Sequence, residues 1–334
     1  MGVHPSGEQF RITSCSHAAT IVEVGGGVRE YTVDGQPVLQ PYPVEAMCDG
    51  AHGTPLIPWP NRLADGRYTF GDVDYRVALT EPEKNNAIHG FLRWRSWTAV
   101  RHEPDRVTMA TRLHPLEGYP FTLDVEVDYT LGESGLTVRT TATNSGARTC
   151  PYACGQHPYL SPGDGDIDDC TLHLDAAIRI VTNDERQLPT GREPVKGTPY
   201  DFRSGRRLNA LQVDYAFTDL ARDSGGRAWT RLVRPDGTSA EIWVDAAYPI
   251  VEIYTADTLA APRQRRGLGT EPMTCPPNAF QTGEGVIHLE PGDSAGSTWG
   301  AMLRGRGHVF VNLGAGPLPP TTSPSPRRVV AAFP

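Results

Sequence analysis

Hydrophobic and polar residues alternate with a period of two along much of the chain. Leu123, Val125, Val127, Tyr129 and Leu131 are separated by polar residues, and Leu136, Val138, Thr140 and Ala142 repeat the pattern after the turn Gly132-Glu-Ser-Gly135. Successive side chains of a strand point to opposite faces, so the two runs predict a hairpin with one buried face. Shorter runs predict strands at 10–14, 19–24, 67–70, 73–78, 96–101, 106–112, 170–174, 228–233, 239–244, 250–255 and 297–303. Gly71-Asp72, Pro235-Asp236-Gly237 and Pro291-Gly292-Asp293 separate them with residues that favour turns. No helix of more than two turns is predicted, and no internal repeat is present. Many antiparallel strands at close spacing predict an all-β sandwich or barrel. Their number predicts a large antiparallel β-sandwich of roughly a dozen or more strands.

Composition narrows the picture. The chain has 334 residues, 38% of them hydrophobic, which is ample for a core. Large all-β domains reach this size as one unit. After about residue 303 the chain becomes rich in Pro, Ser, Gly and Arg and carries no acid. The expected organisation is one domain over residues 1–303 and an extended or disordered tail over 304–334. A net charge of -8 without a dense basic patch argues against a nucleic-acid partner. No segment has the apolar length of a membrane span. The N-terminus lacks the order of a secretory signal, and the Gly2…Ser6 myristoylation pattern has no second anchor beside it. The six scattered cysteines suit reduced thiols, so the expected location is cytoplasmic. A dinucleotide fingerprint, a phosphate loop and a Gly-x-Ser-x-Gly elbow are all missing, which removes most support for nucleotide cofactors and serine hydrolysis.

Five stretches carry possible chemistry. In Gly53-Thr-Pro-Leu-Ile-Pro-Trp-Pro-Asn-Arg62 three prolines stiffen the chain ahead of Asn61-Arg62. In Asn85-Asn-Ala-Ile-His-Gly90, Gly90 allows close backbone approach; if the segment is extended, Ile88 and His89 point to opposite sides. In Cys150-Pro-Tyr-Ala-Cys-Gly-Gln-His-Pro-Tyr159, the spacing matches no standard zinc site, and His157 is a histidine that could give a proton to an ether oxygen. Glu271 sits on a proline-crowded segment and could act as a base. Asp214 opens an apolar strand, and Glu252 and Tyr254 share one strand face. Taken singly, each has a more ordinary role, such as a surface ion pair, a structural histidine or a turn cap.

Taken in order, PLIPWPNRLADGRYTF, NAIHGFLRW, CGQHPYL, VDYAF, VEIYT and TEPMTCPPNAF followed by LEPGDS resemble the aldose 1-epimerase family, the galactose mutarotases. The resemblance runs from about residue 10 to 303. It implies a galactose mutarotase-like sandwich, a sugar cleft, no metal and no organic cofactor. It also implies that Glu271 is the catalytic base, His157 the acid and His89 a second active-site histidine. Arg62 and Asp214 would bind sugar, with Asn61, Tyr159 and Glu252 beside them. Glu252 is a departure, because some members carry glutamine there. Leu160 stands where many carry phenylalanine, a change that could reshape one wall.

Mutarotation of a free aldohexose needs a proton removed from the anomeric hydroxyl and one delivered to the ring oxygen. The expectation is an ionised Glu271 and an imidazolium at His157, its pKa raised by a carboxylate such as Glu252 or Asp214. Trp59, Trp94 or Tyr159 could stack on the sugar. The partner is a small sugar, and the chain a monomer or homodimer. Two alternatives stay open: a related enzyme for another sugar such as a hexose 6-phosphate, using Arg93, Arg95 and the cluster at 263–266, or a non-catalytic sugar-binding sandwich.

Overall fold

The alternating runs form the strands Leu123–Gly132 and Gly135–Asn144, paired from Leu123↔Asn144 to Gly132↔Gly135 in a computed structural model that describes residues 2–306. Leu123, Val125, Val127 and Tyr129 are wholly buried, while Asp124, Glu126 and Asp128 face outward. Most of the predicted tail, residues 307–334, lies outside the described residues. Among the described residues the only α-helix is the four-residue Ala279–Thr282.

The hairpin belongs to a nine-stranded sheet. It runs from Thr98–Glu103 through Arg106–Leu113, the hairpin, Ser294–Arg304, Ser239–Val244, Ala228–Val233 and Thr171–Leu174 to Arg206–Arg207. A twelve-stranded sheet lies against it. Its path is Gln9–Ser14, His17–Val22, Val28–Val33, Gln36–Leu39, Tyr159–Leu160, Leu268–Met273, Ile250–Tyr254, Asp214–Leu220, Ala176–Thr182 and Pro189–Pro194. Neighbouring strands in both sheets are antiparallel. Apolar side chains of the two sheets, such as Tyr31, Leu39, Ile253, Leu268, Val127, Val138 and Trp299, share one core. The expected large antiparallel sandwich is therefore the observed fold.

Some strands are not visible in the periodicity. Leu268–Met273 is buried at every position, so both of its faces touch protein and no alternation of polarity survives. Yet its register places the polar side chains of the central ladder. Glu271 pairs with Glu252, and Glu252 with Ala216, which makes one cross-strand row. The next row is Tyr159, Gly269, Tyr254 and Asp214. Directly opposed residues in an antiparallel ladder share a face. Glu271, Glu252, Tyr254, Asp214 and Tyr159 therefore project to one side, away from Val251, Ile253 and Leu268.

A two-stranded ribbon covers that side. Arg62–Ala64 pairs with Asn86–Ile88, with Arg62 opposite Ile88. The extended backbone expected through His89 ends at Ile88. His89 and Gly90 both adopt left-handed φ, +64° and +62°. A methyl group on Gly90 would lie 2.1 Å from the Ile57 carbonyl oxygen. Gly90→Ala is therefore expected to destabilise the fold by more than about 1 kcal/mol. Gly71→Ala, also at positive φ but in open space, should cost less. Urea unfolding of the two variants checks the order.

Candidate active site

The rows of the large sheet form the floor of a cleft of about 460 Å³. His157 lies two residues before Tyr159, which carries it to the end of the row that holds Glu271. Its Nε2 is 3.1 Å from Glu271 Oε1. The ring of His89 stands edge-on to that of His157, with 5.3 Å between centroids. Strain at His89 is held by two hydrogen bonds. Its backbone N–H donates to Asn61 O at 2.9 Å, and the Asn61 N–H donates to its Nδ1 at 3.1 Å. Nδ1 is thus an acceptor, which leaves the proton of the neutral ring on Nε2.

Arg62 and Asp214 stand at the other end of the cleft. The guanidinium donates to Glu81 through Nε at 3.0 Å and Nη2 at 3.1 Å, and Nη2 also reaches Gln187 Oε1 at 2.9 Å. Asp214 Oδ2 is 4.0 Å from Arg62 Nη2 and accepts from the Gln187 amide. Asn61 Nδ2 donates to Glu252 Oε2 at 3.1 Å. The ordinary role open to Arg62, a surface ion pair, is replaced by a buried one that fixes its fork.

Burial dominates the electrostatics. It raises the pKa of Glu271 well above the usual carboxylate value, and Glu252 and Asp214 add to the rise. Glu252 is raised in the same way, with Asp214 as the next cause. Burial also lowers His157 to about 3, helped by His52, and drops His89 well below its ordinary value, helped by His157. The expected imidazolium at rest is therefore corrected: both histidines favour the neutral form, because a buried charge loses hydration. Glu271 and His157 instead hold one proton between them. Carboxyl plus imidazole, and carboxylate plus imidazolium, contain the same protons and differ by one transfer across 3.1 Å. Glu271 Oε2 and His157 Nδ1 are buried with no hydrogen-bond partner among the described residues. Such atoms are costly unless something satisfies them.

All eight residues singled out from the sequence gather here. Arg62, Asn61, His89, His157, Tyr159, Asp214 and Glu271 line the cleft, and Glu252 lies beneath Asn61. Sequence reading missed Gln187, Lys84 and Glu81. Lys84 ends the short 3-10 helix Pro82–Lys84 that Glu81 precedes, and Gln187 follows a turn; such short segments carry no periodic signal. The stacking candidates need correction. Trp59 is buried edge-on to Phe91, and Trp94 is not among the residues that line the cleft. His52 and His157 stack on Tyr159 at 4.5 and 5.0 Å between centroids, so its ring faces are covered. The cysteines form no metal set among the described residues. His89, His157 and Glu271 do offer ligand atoms within 4.8 Å of one another. A cation bound there would occupy the lone pairs that proton transfer requires, so the two uses exclude each other.

The aldose 1-epimerase family model matches residues 8–299. This chain belongs to the aldose 1-epimerase family. It is 33% identical to the Escherichia coli protein YihR over 291 residues, spanning 87% of this chain and 91% of that one. It is 27% identical to mouse galactose mutarotase over 266 residues, 72% of this chain and 75% of the relative. The fold matches a GalM/aldose epimerase homologue from C. elegans with a TM-score of 0.79 at 20% identity, covering 90% of this chain and 99% of that chain. Within this family fold, Leu160 is wholly buried and faces the core, not the cleft, so it reshapes no wall. Glu252 reaches the cleft through Asn61, whose Nδ2 donates to it.

A buried carboxyl with a raised pKa costs stability as pH rises above its unfolded value, because the unfolded chain then ionises and the folded chain does not. Glu252→Gln keeps an acceptor for Asn61 and removes that titration. It is expected to stabilise the fold at pH 8 more than at pH 5. Equal differences in urea unfolding at the two pH values would show that Glu252 is ionised in the fold.

Proposed function

We propose that this epimerase-family protein interconverts the α and β anomers of an aldohexose by acid–base ring opening and closure, with residues 1–303 as the catalytic unit. The observation that carries the reading is the buried Glu271–His157 contact at 3.1 Å, with His89 beside it and orphaned polar atoms on both partners. A binding module has no need to bury an unsatisfied acid–base pair. The name of the mouse relative, galactose mutarotase, supports the same chemistry.

In this reading the sugar binds over the Glu271 row. Glu271, as carboxylate, takes the proton of the anomeric hydroxyl. The C1–O bond to the ring oxygen breaks, C1 becomes the aldehyde carbon, and the ring oxygen takes a proton from the His157 imidazolium. Rotation about C1–C2 presents the other face, and the proton transfers reverse on closure. One proton passed from Glu271 to His157 on binding sets up both roles without uptake from solvent. His89 donates from Nε2 toward the ring oxygen and steadies its charge. Arg62, Asp214 and Asn61 hold hydroxyls away from the reacting carbon and fix the pose.

Glu271→Gln and His157→Asn are each expected to lower kcat by roughly a hundred- to ten-thousand-fold. Polarimetry on freshly dissolved α-glucose and α-galactose measures this, and a Glu271→Gln enzyme with wild-type rate would remove the base from the proposal. The pair's single proton also sets the pH profile. Raising pH removes it, so kcat/KM falls on the alkaline side. Lowering pH adds a second proton, and because His157 is lowered to about 3, the acid fall is expected well below 6.5. An acid limb centred on 6.5 would show that His157 titrates as an exposed imidazole.

A further inference from the structure

No hydrogen bond from behind fixes the ring of His157. Its Nε2 faces Glu271, and its Nδ1 is buried with no hydrogen-bond partner among the described residues. The plane of this imidazole is therefore set by packing. In Gln156-His-Pro-Tyr159 alternate residues project to one side of the extended chain, which puts Tyr159 beside His157. The two rings stack with 5.0 Å between centroids and 20° between planes. His52 stacks on the other face of Tyr159 at 4.5 Å and 15°, and Tyr42 stands edge-on behind His52 at 5.3 Å. The Tyr159 hydroxyl is not free for a ligand, because it donates to the Gly50 carbonyl at 2.9 Å. Both nitrogens of His52 are engaged as well. Arg263 Nη2 donates to Nδ1 at 3.0 Å, and Nε2 donates to the Gln40 carbonyl. That pattern is the neutral tautomer. A proton on Nδ1 would face the guanidinium, and burial already lowers the pKa of His52 to about 4.

We propose that the ring face of Tyr159 stabilises the imidazolium that forms at His157 during the reaction, and that His52, locked neutral behind it, holds that face in place. Both are positioning residues, and neither binds the sugar. The proposal rests on the mutarotase reading, in which Glu271 passes its proton to His157. A cation over an aromatic face is attracted by the ring quadrupole, most strongly where water is excluded. At the resting pair this attraction is small, because the imidazole is neutral. It grows as the proton crosses to His157, so it favours the charged state that chemistry needs over the ground state. A second cation on the far face would compete for the same π electrons. Arg263 prevents that by holding His52 as an acceptor. The assignment replaces the sugar-binding role expected for Tyr159 from the sequence.

The test measures kcat and KM separately, by NMR exchange between the anomers of glucose and galactose. Tyr159→Phe keeps the ring face and is expected to stay within about twofold of wild type in both constants. Tyr159→Leu removes the face and should lower kcat roughly five- to thirty-fold, with KM within about twofold. Site-specific replacement of Tyr159 by phenylalanines carrying one, two and three ring fluorines should lower kcat stepwise toward the leucine value. Fluorine weakens the quadrupole while the ring keeps nearly the same size, so a purely structural role would leave kcat unmoved. This series carries the test if the leucine variant does not fold. His52→Phe keeps the stack and should retain more of kcat than His52→Ala. A kcat indifferent to the fluorines, or a Tyr159→Phe enzyme whose KM rises while kcat holds, overturns the proposal and leaves the mutarotase reading standing. If wild type turns over neither sugar, the mutarotase reading fails by itself. The 15N shifts of the His157 ring, read at the lowest pH that keeps the fold, then decide. An imidazolium share that falls along the fluorine series supports the role of Tyr159, and an unmoved share overturns it.

Discussion

Glu252 and Glu271 face each other across the central ladder, both buried, with Asp214 one row away. Like charges directly opposite in a sheet repel, and burial removes the water that would screen them. The cleft is built around this constraint. Asn61 donates to Glu252, His157 approaches Glu271, and Arg62 is held near Asp214 by Glu81 and Gln187. Because the cluster cannot sustain all its charges at once, a proton stays in it. That proton is what makes a buried carboxyl and a neutral imidazole useful to each other.

The two ends of the cleft have different characters. At the Arg62 end Arg62, Glu81, Lys84 and Asp214 all have partners, and the side chains present a fixed set of donors and acceptors. Nearer Glu271 and His157, Glu271 Oε2 and His157 Nδ1 are buried without hydrogen-bond partners among the described residues. Satisfied groups position; unsatisfied groups wait for a ligand. The family fold supplies the floor through the register of three central strands, and the ribbon that carries Asn61, Arg62 and His89 closes one side. Gly90 permits this because its backbone passes against the Ile57 carbonyl with no room for a side chain.

Much of the architecture is legible in the chain itself. The hairpin at 123–142 declares itself because one face meets the core and the other meets water. Leu268–Met273 does not, because protein covers both of its faces. The same contrast applies to the site. His89, His157, Glu271, Arg62 and Asp214 stand out through ordered motifs that resemble a family, whereas Glu81 and Lys84 sit at a one-turn 3-10 helix and Gln187 after a turn, in segments whose composition is ordinary for any surface. The expected charge states failed, since a linear sequence shows which residues can ionise but not how much water reaches them.

Strand periodicity, turn chemistry and acidic composition are properties of neighbouring residues, so they can be read without a fold: an all-β sandwich, antiparallel, with a short list of polar residues worth following. The rest depends on distance and dielectric between residues far apart in the chain, and these exist only once it has folded. Glu271 lies opposite Glu252 and within reach of His157 only because three strands pair in one register. Arg62 finds Glu81 across a folded ribbon. Burial then sets the protonation of the whole group, since the cost of a charge depends on its surroundings and not on its place in the sequence.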